Sequence, residues 1–172
     1  MATNLCDLQT NYLQNNGFQL VLPRFPLTSY YSNSFVMPSI DIQNAVMHTP
    51  FTKLPLAGDN VNFEPFSFSF ILDDQMKNYR EIHDWMMAIG FPKRYEDFSN
   101  YKNKGEGKVE TLGEQDASIS ILSGKSNPTA HIVFRDAIPI ALSGTEFSTQ
   151  GSTTEYLMAT ATFAYSYFEF TS

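Results

Sequence analysis

The chain has 172 residues and a net charge of −7, with only 17% charged residues but 15 Phe, 9 Tyr and one Trp. That length suits a single domain with a sizeable core. The acidic balance argues against a nucleic-acid binder, because phosphate affinity needs clustered cations, and the lone cysteine, Cys6, excludes an internal disulfide framework.

Residues 1–16 carry Leu5, Leu8, Tyr12 and Leu13 at near-helical spacing, which predicts an N-terminal helix or arm. Asn15-Asn16-Gly17 reads as a turn. Phe18 to Leu22 alternates and reads as a strand, ended by Pro23 and Pro26. Tyr30 to Met37 reads as a second strand, closed by Pro38. Residues 39–60 read as an irregular loop punctuated by Pro50, Pro55 and Gly58. Within that polar loop Phe51, Leu54 and Leu56 are apolar, so they either pin it to the body or contact a neighbour.

Val61 to Leu72 is the clearest strand. Phe66, Phe68, Phe70 and Leu72 fall on one face and Ser67 and Ser69 on the other. A one-residue slip would expose all four apolar side chains, so the register should be well specified. Asp73 or Asp74 is placed to cap a helix. Its apolar face would be Met76, Tyr79, Ile82, Met86 and Ile89, flanked by Trp85 and stopped by Gly90 and Pro92.

Residues 93–115 are charged and aperiodic, and 102–115 read as a mobile loop. Residues 77–108 hold seven Lys/Arg against five Asp/Glu, so this stretch is basic within an acidic chain. Ser118–Leu122 and Ala130–Phe134 read as a hairpin around Ser123–Pro128, and Asp136–Gly144, with Pro139, as an edge segment. Tyr156 to Phe170 alternates throughout, with Ala159, Ala161, Phe163, Tyr165 and Tyr167 on one face. Fifteen residues is about twice a usual strand, which suggests pairing beyond the domain or a curved barrel wall. The expected fold class is mainly β with one packed helix, an antiparallel sandwich or barrel with long loops, as one domain over 1–172.

Chemistry is sparse. His48, His83 and His131 lack ligand spacing. Asp59, Asn60, Asn62 and Glu64 lack the spacing of a calcium loop. Helix capping accounts for Asp73 and Asp74 without acid–base work, and core packing accounts for the Phe-rich strand without RNA stacking. No phosphate loop or nucleophile elbow is present. No catalytic residue, metal or cofactor is therefore expected, and the chain reads as a structural protein and not an enzyme. The first residues carry no basic, apolar leader and no segment approaches the roughly 18 apolar residues of a membrane span, so synthesis in the cytosol is expected.

Several stretches together resemble a known family. They are Asn15-Asn16-Gly17-Phe18, Met37-Pro38-Ser39-Ile40, Leu54-Pro55-Leu56-Ala57-Gly58-Asp59, Asn78 to Trp85, Gly90-Phe91-Pro92 and the closing strand. In this order they resemble the small tail proteins of contractile-tailed bacteriophages, the tail-tube proteins and their relatives that initiate or terminate the tube. The terminator, or tail-completion, group is favoured by the helix motif. The resemblance implies the tail-tube fold and a hexameric ring around a DNA channel that does not bind DNA. Implied partners are the chain itself and neighbouring tube, sheath, connector or baseplate proteins. The implied location is the virion tail, after the host cytoplasm. A tube protein of a non-viral contractile injection system and a monomeric ligand-binding β-domain are the alternatives. The candidate ring interface is Phe51, Leu54, Leu56, Asp59, Tyr165, Tyr167, Phe168 and Phe170. Lys93, Arg94, Lys102 and Lys104 form a candidate outward patch for partner proteins.

Overall fold

The computed structural model describes Leu13 and residues 17–23, 25–90, 115–148 and 156–171. The expected N-terminal helix, the 102–114 loop and the four basic patch residues lie outside these. The elements are β1 (Phe18–Val21), α1 (Pro26–Tyr30), β2 (Ser32–Val36), β3 (Ile40–Ile42), β4 (Ala45–His48), β5 (Lys53–Leu56), β6 (Val61–Phe63), β7 (Phe66–Ile71), α2 (Lys77–Gly90), β8 (Gln115–Leu122), β9 (Pro128–Leu142), β10 (Met158–Ala164) and β11 (Tyr167–Thr171).

Seven strands pair antiparallel in the order β1-β8-β9-β10-β7-β2, with β11 also on β9. β9 belongs to two half-sheets. Its first half lies between β8 and β11, and its second half pairs with β10. The turn-over point is Asp136, which takes a positive φ of 56°. The opposing chain breaks there too, at Tyr165 and Ser166, and Ser166 N donates to Arg135 O at 3.0 Å. A single residue in the left-handed region re-aims a strand as a bulge does. The two half-sheets thus face each other across one core, a β-sandwich.

That core is aromatic. Phe66, Phe68, Phe70, Phe134 and Phe163 are all buried, and Phe66 meets Phe134 across the sandwich with ring centroids 4.6 Å apart. Each such ring contributes about 2 kcal/mol on leaving water. The alternation read from 66–70 is the observed one. α2 closes one side. Trp85 packs 5.1 Å from Phe25 and 5.8 Å from Phe163.

Several expectations need correction. Val61 to Leu72 is two strands in different sheets, divided at Glu64-Pro65, because proline cannot donate to a ladder. The segment from Tyr30 begins with the end of α1, and Pro26 opens that helix at its first turn, where no N–H is needed. Residues 39–60 are not irregular but carry three strands, β3, β4 and β5.

The α2 face is rotated from the expected stripe. Asn78, Ile82, Trp85 and Ala88 are buried and Ile89 is exposed. The strand–helix junction is held by Asn78 in place of an aspartate side chain. Its Nδ2 donates to Ile71 O at 2.7 Å, and its Oδ1 accepts from Asp73 N and Tyr79 N. The overlong strand is β9, at 15 residues, while 156–170 is split into β10 and β11. The split shifts the alternation by one. Phe168 therefore packs on the core and Tyr167 is exposed, the reverse of an uninterrupted strand. The second half of β9 pairs on one side only, so Pro139 sits where a missing N–H costs nothing.

Candidate assembly surface

Residues 39–64 leave the sandwich as an arm. β3 pairs with β6 and β4 with β5, each as a separate two-stranded ribbon unconnected to the main sheet. Glu64 N donates to Ser39 O at 3.1 Å and closes the base. At the tip Thr49 N donates to Thr52 O at 3.0 Å, and Thr52 N donates to Thr49 Oγ1 at 3.1 Å. Between the ribbons the two chains touch closely. A Cβ on Gly58 would stand 1.5 Å from Gln43 O, so only glycine is accommodated.

Strand alternation makes the base ribbon one-sided, while in the tip ribbon Val46 and Pro55 add apolar surface to the second face. In the base, Ile40 opposes Phe63 and Ile42 opposes Val61, while Asp41 opposes Asn62 on the other face. Towards the tip, Ala45 opposes Leu56 and Met47 opposes Leu54, with His48 and Lys53 on the other face. Most of this apolar surface lies open: Ile40, Ile42, Met47, Leu54, Leu56 and Val61 are all about half exposed. An isolated two-stranded ribbon is marginal in water, and a covered apolar face is what stabilises one.

The residues expected at an interface fall into two groups. Phe51, Leu54, Leu56 and Asp59 lie on the arm, all exposed, with Phe51 98% exposed at its tip. Tyr165, Tyr167, Phe168 and Phe170 lie at the β10–β11 break and along β11, an edge strand. The arm base touches the second group through Phe63. Phe63 packs 6.0 Å from Tyr165 and 5.8 Å from Phe168. Tyr165 and Phe168 thus face the core side, whereas Tyr167 and Phe170 are open.

Sequence reasoning overlooked Ile40, Ile42, Met47 and Val61. The available signal was the period-two pattern of Ile40-Asp41-Ile42 and Val61-Asn62-Phe63, each only three residues long. It also overlooked an open cleft of about 510 Å³ between β1 and α1.

On the outer face of β8, β9 and β11, Arg135 donates to Asp116 and lies 3.6 Å from Glu169. The hydrogen bond and charge of Asp116 raise the Arg135 pKa above its ordinary value. The Tyr165 hydroxyl is buried with no hydrogen-bond partner, and burial pushes its pKa up to about 12. Among the described residues no group of three or more His, Cys, Asp or Glu comes together. His48 is exposed on the arm, His83 sits beside Asp84, and His131 Nδ1 shares a hydrogen bond with Ser120 at 3.0 Å.

Solved structures match this sandwich over almost its whole length. A chain of the anti-feeding prophage baseplate superposes with a TM-score of 0.61 at 10% identity, covering 95% of this chain and 97% of that one. The tube-terminating cap of the same particle gives 0.60 at 11% identity, with 99% of both chains covered. A chain from the sheath/tube terminator of the PVC contractile injection system gives 0.58 at 10%, covering 95% and 100%. The chain has the tail-tube-type fold. At the sequence level it is 26% identical over 166 residues to the tail tube terminator protein of Enterobacteria phage T4, covering 92% of this chain and 89% of that protein. No protein-family model matches it.

Proposed function

We propose that this tail-tube-type protein is a structural subunit of a contractile phage tail, forming a ring that caps the DNA-conducting tube. The similarity to the T4 tail tube terminator over nearly the whole chain carries this reading. The ring is a hexamer of this chain, and its role is non-enzymatic. The arm and the β11 edge form the contacts between subunits, through Phe51, Leu54, Leu56 and Asp59 on one side and Tyr165, Tyr167, Phe168 and Phe170 on the other. Its other partners are tube, sheath and baseplate proteins, the company in which its structural neighbours are found. DNA passes through the ring without specific binding, in keeping with a net charge of −7.

The basic residues Lys93, Arg94, Lys102 and Lys104 serve as the contact for sheath or connector proteins. Reversing all four charges should leave ring formation intact and abolish joining to those partners; intact tails from that variant would remove the assignment. The ring itself is tested by mass photometry and negative-stain microscopy over a concentration series, with and without tail tubes. The expected result is a six-membered ring with a central pore, or such a ring at one tube end. Stacked tubes from the pure protein would reassign it as the main tube subunit. A monomer that ignores tubes would reject both.

A further inference from the structure

The outer faces of the two half-sheets differ in charge. β2, β7, β10 and residues 137–142 of β9 contain no Asp, Glu, Lys, Arg or His. The alternation that buries Phe66, Phe68 and Phe70 turns Ser67 and Ser69 outward. Ser69 stands between Ser34 of β2 and Thr160 of β10, and Ser67 between Val36 and Thr162. Ser34, Val36 and Thr160 are exposed, and the Ser34 and Ser69 hydroxyls hydrogen-bond each other. The outer face of the other half-sheet carries Asp116, Arg135 and Glu169, together with His131.

With subunits meeting through the arm and the β11 edge, one sheet face turns toward the channel and the other away from it. We infer that the uncharged face of β2, β7 and β10 lines the channel and that passing duplex DNA is what it meets, an assignment that rests on the ring reading above. Cations grip DNA, because each one that neutralises a phosphate releases a counterion. Arg135 and His131 lie on the other face. On this one the Ser34 and Ser69 hydroxyls carry no charge and already satisfy each other. A protein–protein contact is enriched in aromatic side chains and depleted in serine. This face has serines in its central row and no outward aromatic ring in its paired rows. Its exposed apolar side chains, Val36 and Met158, stand apart at its two ends. Such a surface stays wet and lets a polyanion slide past.

The test adds equal charge to the two sheet faces of the full-length chain. One variant carries Ser34→Lys with Thr160→Lys. The other carries Gln19→Lys with Val21→Lys, at exposed positions on the outer face of β1. Circular dichroism and thermal melts report folding, and mass photometry reports rings. Assembled into rings, the Ser34/Thr160 variant should bind a linear DNA duplex about tenfold tighter or more than the β1 variant does, because its lysines converge on one channel. That advantage should shrink as salt rises. Should the lysine variant fail to fold, an aminoethyl thiol reagent applied to preassembled rings of a Cys6→Ser, Thr160→Cys chain adds the charge after folding, with the same gain expected. Equal affinity of the two ring variants, or tighter binding by the β1 variant, would overturn the inference while leaving the ring reading in place. So would a folded Ser34/Thr160 variant that forms no rings, or a Thr160→Cys thiol that the reagent cannot reach in the ring, either of which would make this face a protein contact. A wild-type chain that never forms a ring, alone or with tubes, would remove the ring reading and this assignment with it.

Discussion

Tyr165 holds its hydroxyl in the core without a hydrogen-bond partner, beside Phe66, Phe134 and Phe168. A desolvated, unpaired hydroxyl is destabilising, and removing it while keeping the ring removes that cost. Tyr165→Phe should therefore raise the urea midpoint of the monomer, by an amount equivalent to about 1 kcal/mol. A lowered midpoint would mean that the hydroxyl is satisfied in solution. Glu81 gives a second residue-scale expectation. Burial raises its pKa, against a weaker lowering effect from the Thr28 hydroxyl that donates to it. The folded state thus holds the proton to higher pH than the unfolded chain does. Stability falls as pH rises through that interval, and the cost is fully present above the folded pKa. Glu81→Gln should melt higher than wild type at pH 7, with the gap closing near pH 3. A gap independent of pH would place the effect in packing.

The arm stands apart from the sandwich as two short ribbons. Its middle crossing depends on Gly58, where a side chain would collide with the Gln43 carbonyl. Gly58→Ala should leave the melting temperature of the body within a degree or two and sharply reduce ring formation in the same mass-photometry assay. A variant that assembles normally would show that the crossing relaxes at little cost. The arm also shows why short strands were hard to read. Three-residue runs such as Ile40-Asp41-Ile42 satisfy a period of two, but so do many loops, and only pairing with Val61-Asn62-Phe63 makes one a strand. The long alternation of 66–71 needed no such help, since six residues with three buried phenylalanines define a face on their own.

At the scale of the molecule, body and arm are separable. Ser39 and Glu64 are hydrogen-bonded at the base, so residues 40–63 can be replaced by a two-residue Asn-Gly turn. That excised chain should remain a folded monomer with β-rich circular dichroism and a cooperative melt, yet form no ring and cap no tube. Loss of the cooperative melt would show instead that Phe63 against Tyr165 and Phe168 is part of the core.

Local pattern determined much of this protein. The period-two run at 66–70, the hairpin around residues 123–127 and the helix through Trp85 all follow from side chains close in sequence. The order of motifs along the chain pointed to the tail-tube family. Long-range pairing decided the rest. β9 became the shared strand because Asp136 turns it from one half-sheet to the other, opposite the break at Tyr165 and Ser166. One residue of offset there sends Phe168 inward and Tyr167 outward. Such an offset leaves no trace in the alternation of either strand alone, because a bulge is a property of two paired strands and not of one. The same holds for the arm, whose ribbons exist only once β3 meets β6 and β4 meets β5.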